Sequence, residues 1–374
     1  MTSSSKLANR VVLHVDDEPG FRGGQRQLLL LAKAQIRDTN GPRPILLVRS
    51  RGLLGAASVA GIPHQRWLGA NNPLGLLQLH GQLKQGRRPI VHVHDSRSLG
   101  AVRLVASAEQ QQSLVIHRRI DDVPRDRSFT RWKYARGQII CVSNAVREVM
   151  RGFGIEPARL RVIHSTLPPD TRPLPTHAES RSSPTEGAPD SGALRPLDLT
   201  AIGALVEQKG HRFLLEALAI TKLDHTLRLL GSGPLKNVLL RQRQQLGLER
   251  RVQLEPLVQS GSARLNPSSD LLVHPSIREG MGTAVLDAMW AGLPVLASQV
   301  GGLSEVIEDN VTGWLIDPQN PRALASKLDE LATNEWRRPG WLSEHGMAGR
   351  RRAMHYFQFT KMVSAIQQVY DRCP

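Results

Sequence analysis

Val273–Gly302 reads VHPSIREGMGTAVLDAMWAGLPVLASQVGG. Glycines break the chain between Glu279 and Gly282. A helical pattern then runs from Thr283 to Ala291 and stops at Gly292, followed by the apolar run Pro294–Ala297 and a turn at Gly301 and Gly302. A helix start exposes unpaired N–H groups and the positive end of a macrodipole, about +0.5 charge, which suits a phosphate. Glycine lets a ligand approach the backbone. Glu279, just ahead of the helix, and Asp287, one turn inside it, are then left for neutral hydroxyls. A helix-end anion site beside two such acids points to a nucleotide-sugar pocket.

The rest of the chain alternates strands and helices. Upstream, LDLTAIG reads as a strand, ALVEQKG as a loop and HRFLLEALAI as a helix, which places the Lys209 ammonium at a helix start, where it serves a diphosphate as a point charge. TLRLLGSG, VQLEPL and DLLVHPS continue the strands, PLKNVLLRQRQQLG and PRALASKLDELAT the helices. The N-terminal half repeats the pattern. Val11–Val15 is a strand that ends in DDEPGFRGG and leads into the helical QRQLLLLAKAQI. Ile45–Val48, Pro89–Asp95, Leu114–Ile116 and Ile139–Val142 are further strands, with a helix over Leu74–Leu83 and another in SNAVREVMRGFGI. This alternation predicts parallel sheets covered by helices on both faces. Residues 171–196 are rich in Pro, Ser and Gly without apolar periodicity, which is linker composition. The expected organisation is an α/β domain over 1–170, the linker, a second α/β domain over 197–354, and a terminal amphipathic helix within 355–374 that completes the first.

At 374 residues two domains are the natural expectation, and 40% hydrophobic content is ample for two cores. A net charge of +16 implies an acidic partner or surface. Two cysteines, Cys141 and Cys373, form no disulfide framework and no metal-binding spacing. No stretch approaches the ~20 apolar residues of a membrane span. MTSSSKLANR reads as too short for a secretory signal before the charged VVLHVDDE, so a cytoplasmic location is expected. The pair Gly23–Gly24 lacks the third glycine of a dinucleotide fingerprint, which argues against a dehydrogenase.

His94 and His117 each end a strand at its carboxyl edge, where open α/β sheets bind ligands, and are candidates to position a phosphate or hydroxyl or to carry a proton. His92 shares a face with His94, but a zinc pair would need two further ligands. Between Arg118 and Arg136 lie seven basic and three acidic residues interleaved with Phe129, Trp132 and Tyr134. No nucleic-acid motif accompanies them; an anionic membrane or lipid acceptor is the favoured partner, with peripheral attachment at the inner face of the cytoplasmic membrane.

PSIREGMGTAVLDAMWAGLPVLAS, GGLSEVIEDNVTGWLIDP, EQKGHRFLLEALA and IICVSNAVREVM with GFGIEPARLRVIHS resemble the family-4 retaining glycosyltransferases, and HRRIDDVP and EGMGTAVLDAM a bacterial lipopolysaccharide and surface-glycan branch. The resemblance implies the GT-B fold: two Rossmann-like domains facing a cleft. It implies transfer of a sugar from a nucleotide diphospho-sugar to a glycan or lipid-linked acceptor hydroxyl, with retained configuration, no cofactor and no essential metal. Carried over by motif, Gly23 and Gly24 would lie near donor phosphate and acceptor. His117 would lie beside the transferred sugar, Lys209 would bind the diphosphate and Glu279 the sugar. Gly280, Met281, Gly282 and Thr283 would cradle sugar and phosphate, and Asp287 would hold the ribose. His94 and Arg119 are acceptor-side candidates. Three positions depart from the pattern. Asp287 replaces the usual Glu, Ala204 replaces an Arg that pairs with the lysine, and HSTLPPD at His164–Asp170 lacks a turn glycine. Arg212 is a candidate replacement for the missing Arg. The departures motivate the alternative of a non-catalytic nucleotide-sugar-binding protein.

Overall fold

The computed structural model describes residues 10–85, 88–167, 196–222, 224–256, 265 and 269–374. Two units emerge, Met1–Pro168 with Phe359–Pro374, and Pro169–Gln358. Residues 171–195 of the expected linker, and Leu257, lie outside the described residues.

Unit 1 carries seven strands, β1 (Val11–Asp16), β2 (Arg43–Val48), β3 (His64–Arg66), β4 (Ile90–Val93), β5 (Leu114–Arg118), β6 (Gln138–Cys141) and β7 (Leu160–Val162). They form one sheet in the order β3-β2-β1-β4-β5-β6-β7, parallel throughout. Its helices are α1 (Gly23–Arg37), α2 (Arg51–Val59), α3 (Pro73–Lys84), α4 (Ser96–Val105), α5 (Ser128–Tyr134) and α6 (Asn144–Gly152). In α1, Leu28, Leu31, Ala32 and Gln35 recur at helical spacing and are buried. The strand order reverses between β1 and β4, so the switch point opens at the carboxyl ends of Asp16 and Val93.

Unit 2 carries β8 (Leu197–Ile202), β9 (His225–Leu230), β10 (Val252–Glu255), β11 (Leu271–His274), β12 (Val295–Ser298) and β13 (Trp314–Ile316) in the order β10-β9-β8-β11-β12-β13, again parallel. Its helices are α7 (His211–Ile220), α8 (Lys236–Gln245), α9 (Thr283–Trp290), α10 (Leu303–Val306), α11 (Pro321–Arg337) and α12 (Trp341–Tyr356). The reversal falls between β8 and β11. Asn320 caps α11 by accepting from Ala323 N at 3.0 Å, with Pro321 in the first turn, as the sequence NPRAL invites.

The last helix, α13 (Phe359–Asp371), belongs to unit 1. Its Met362, Ile366, Val369 and Tyr370 pack with Val12, Ile90, Val115 and Ile140 of the central strands. No helix among the described residues is long and apolar enough to cross a membrane.

Candidate active site

Each unit gathers polar side chains at its own switch point. In unit 2, β8 ends at Ile202 and passes through Gly203 and Ala204 into a 3-10 turn, Glu207–Lys209. Gly210 follows in the left-handed region, φ 64°. A Cβ there would stand 2.0 Å from the Pro275 carbonyl, so the backbone after β8 lies directly against the loop after β11. Lys209 Nζ consequently donates to Glu279 Oε2. His274, the last residue of β11, meets the same oxygen through Nε2 at 3.0 Å, and Ser276 Oγ lies 3.1 Å from that nitrogen. Burial pushes the Glu279 carboxyl up, but the Lys209 charge and the His274 hydrogen bond outweigh it and hold the group well below the usual carboxylate range. Burial keeps His274 below the ordinary imidazole range. An ionised carboxylate only accepts, so His274 Nε2 carries the proton and donates to it.

Gly280, Met281 and Gly282 are buried and lead into α9, which no side chain caps. Gly282 has φ 77° and a Cβ there would meet Leu303 at 2.5 Å, so only glycine fits this entry. Thr283 is the first residue of α9. Asp287 is buried, 2% exposed. Arg212, the candidate replacement for the cation absent at Ala204, pairs with Glu207 at 3.3 Å and stacks on Phe213. Gly231 and Gly233 sit against the backbone of Gly203 and Leu205.

In unit 1, Gly23 and Gly24 open α1. A Cβ on Gly24 would lie 3.2 Å from Arg119 Cδ, so Arg119 covers this helix start. His94 follows β4 and His117 lies near the end of β5. Two residues that sequence reasoning missed join them. His14 pairs in register with His92 across β1 and β4, and its ring is 5.2 Å from both His92 and His94. Gln35, from α1, accepts from His14 Nε2 at 2.9 Å. The signal lay in period-two spacing, with His14 and Asp16 on one face of β1 as His92 and His94 are of β4. Tyr370 of α13 contacts His92 Nδ1 at 2.6 Å.

Burial pushes His14 down to about 4 and keeps His92, His94 and His117 well below the ordinary imidazole range, so the cluster is neutral at physiological pH. Burial also lowers Arg119 to about 10. Asp16 moves the other way, up to about 7, through burial and the neighbouring Asp95. The ring nitrogens of His14, His92 and His94 lie within 4.8 Å of one another, a spacing a metal ion could use. Their hydrogen bonds oppose it. Arg119 Nη2 donates to His94 Nδ1 at 3.0 Å, which leaves the His94 proton on Nε2, 3.0 Å from His14 Nδ1, so both His94 nitrogens are already engaged.

Part of the basic stretch 118–136 is engaged internally. Arg118 is buried and paired with Asp122, Arg119 lies in the site, and Arg131 binds Asp126. Arg125, Arg127 and Arg136 remain exposed, beside Val123 (70% exposed), Phe129 (55%) and Trp132 (36%). The segment without its turn glycine is pinned instead by Gln27, which donates to Thr166 O at 2.6 Å and accepts from Thr166 N at 3.0 Å; Pro168–Asp170 lie outside the described residues.

These two sheets, each with a polar site at its reversal, define a two-domain Rossmann-like α/β protein. The description Glycosyltransferase Family 4 matches residues 21–170 and Glycosyl transferases group 1 matches residues 192–345. Together they cover most of the chain, which belongs to the family-4 glycosyltransferases and has the GT-B fold. Among curated relatives, an uncharacterised glycosyltransferase of Methanocaldococcus jannaschii is 30% identical over 54% of this chain and 52% of its own. A D-inositol 3-phosphate glycosyltransferase of Xylanimonas cellulosilytica is 29% identical over 62% and 58%. The matches thus span about half the length of these relatives. Anabaena HepE, solved in complex with UDP-glucose, superposes with a TM-score of 0.76 at 20% identity, covering 96% of this chain and 97% of that one.

Proposed function

We propose that the protein is a retaining glycosyltransferase that moves a sugar, a hexose or related unit, from a nucleotide diphospho-sugar to an acceptor hydroxyl without a metal. The observation that carries the reading is the convergence of Lys209, His274 and Ser276 around Glu279, beside the uncapped start of α9. A diphosphate leaving group develops negative charge, and a lysine and a helix start aimed at it stabilise that charge in the transition state. Glu279, held ionised and oriented, accepts from sugar hydroxyls. Asp287 serves the ribose and His117 the transferred sugar. HepE binds UDP-glucose, which makes UDP-sugars the first donors to try. A thermal-shift screen over nucleotide sugars tests the reading, since a donor at 100 times its Kd stabilises by about 2.7 kcal/mol. No shift with any nucleotide would sink it.

The acceptor side we assign to unit 1, with His94, Arg119 and the Gly23–Gly24 turn. Surface-glycan or lipopolysaccharide synthesis at the inner membrane face is the proposed setting, supported by Phe129, Trp132 and the exposed arginines around them. A second reading, a binding protein without turnover, is favoured by Ala204 and by the engagement of Arg212 elsewhere. Nucleotide binding with neither sugar release nor transfer across a donor panel would select it.

A further inference from the structure

The Lys209–Glu279 pair leaves unit 2 short of positive charge. Lys209 Nζ donates to Glu279, whose carboxyl is held well below its usual range, so the two charges cancel where a diphosphate would bring several negative ones. An ammonium committed to a carboxylate offers a ligand only its remaining donors. Ala204 stands where the resemblance expects a second cation, and other arginines of this unit are engaged. Arg212 pairs with Glu207 and stacks on Phe213, and Arg228 pairs with Glu255 at 2.9 Å.

Arg278 is differently placed. It precedes Glu279 in the loop between β11 and the start of α9. Two hydrogen bonds stitch that loop to the turn after β8. Ile277 N donates to Gln208 O at 2.8 Å, and Gln208 Nε2 donates to Arg278 O at 3.1 Å. The main chain of Arg278 is thereby fixed against Gln208, the neighbour of Lys209. Its side chain is exposed, and among the described residues its guanidinium has no ion pair or hydrogen bond. The charges that act on Glu279 are those of Lys209 and His274, so Arg278 is not spent on it. An exposed arginine is ordinarily a solvated surface charge. This one combines an anchored backbone, an uncommitted guanidinium and a position between the two residues of a self-neutralised pair. A guanidinium is also the group whose fork matches two phosphate oxygens at once.

We propose that Arg278 supplies the second cation of the donor diphosphate site, so that the charge absent at Ala204 in the loop after β8 is carried by the loop after β11. The ligand is the diphosphate of a nucleotide sugar and of the nucleoside diphosphate it releases. The inference rests on the transferase reading and names a group that completes its donor site.

Binding of UDP, GDP, ADP, CDP and dTDP to the full-length protein is measured by isothermal titration, and the tightest ligand is carried through the variants. Arg278→Gln should weaken it by about tenfold or more, with an unchanged thermal midpoint in the absence of nucleotide because the side chain is exposed. Adding Ala204→Arg to Arg278→Gln should recover most of the loss, which a merely structural role for Arg278 would not allow. Lys236→Gln, at the exposed first residue of α8, is the control for general charge and should change affinity far less. Equal binding by the parent and Arg278→Gln, no recovery through Ala204→Arg, or an equal loss in Lys236→Gln overturns the inference. Failure of every nucleotide to bind the parent overturns the transferase reading and the inference with it, whereas binding that ignores Arg278 overturns the inference alone.

Discussion

Lys209 and His274 meet on one oxygen of Glu279, tying the turn after β8 to the end of β11. The pair is partly buried, with side-chain exposures of 20% for Lys209 and 12% for Glu279, so each charge depends on the other for compensation. Lys209→Ala and Glu279→Ala should each lower transfer by about 100-fold or more, in line with loss of a transition-state charge contact. A double-mutant cycle on stability should return a coupling of about 1–3 kcal/mol. Full transfer in both variants would remove these residues from the site.

His274 acts through Glu279 and is a positioning residue. His274→Leu should reduce kcat by about tenfold to 100-fold with little change in nucleotide affinity, and His274→Gln, which can present an N–H at the place of Nε2, should recover part of it. Parallel losses in the two variants, or a change confined to KM, would count against this role.

Gly210→Ala should destabilise the protein. The residue would need a left-handed backbone, which costs about 1–2 kcal/mol, and its Cβ would press on the Pro275 carbonyl at 2.0 Å. Denaturant unfolding should show a lowered midpoint with an unchanged slope. An unaltered midpoint would mean that the close approach after β8 can be relieved without cost.

Asp16 gives the protein a pH signature. Its carboxyl stands at about 7 in the fold, against about 3.9 in an unfolded chain. The folded state therefore resists ionisation, so the stability attached to the neutral acid is whole below about pH 4 and is lost as pH rises through about 7. Asp16→Asn, which resembles the neutral acid, should be more stable than the parent at pH 8 by up to a few kcal/mol, and the gap should close below pH 4. His14, down at about 4, has the opposite sign: its contribution is present above about 6.5 and lost as pH falls through 4. Because the histidines are common to both proteins, the difference curve isolates Asp16. A gap that ignores pH would contradict the assignment.

Membrane docking is open to a direct assay. Replacing Phe129 and Trp132 together by Ser should weaken co-sedimentation with vesicles containing anionic lipid severalfold, and 1 M salt should do the same through the exposed arginines. Equal sedimentation of parent and variant would remove this surface from the account.

Most strands could be read because β-branched runs fall between glycine-rich turns; HRFLLEALAI coincides with α7. The helices α2, α4, α5, α10 and α12 and the strands β3 and β13 escaped. β3 is three exposed residues at the sheet edge, with no apolar signal to carry it. α2 is short and α4 follows a strand without a glycine turn. α12 buries Leu342, Gly346, Gly349 and Ala353, small residues at helical spacing that hydropathy overlooks; Gly346 lies so close to the Gly292 carbonyl that a Cβ would stand 2.1 Å from it. In the site, Lys209 and Glu279 were readable from helix-start chemistry, and the ion pair between them was not, since it depends on how two loops meet. His14 and Gln35 were hidden for a similar reason. Their role depends on strand register and on which face of α1 turns inward, neither of which a local motif records.

The hydrogen bond between His92 and Tyr370 joins residues 278 positions apart. Unit 1 is thus closed by residues that follow the whole of unit 2 in the chain, whereas unit 2 is one continuous stretch, Pro169–Gln358. During synthesis the first sheet must wait with Val12, Ile90 and Val115 uncovered until α13 arrives. The sheet that comes first in the chain is therefore completed only by a helix that follows all of unit 2, and loss of α13 would leave those strands uncovered.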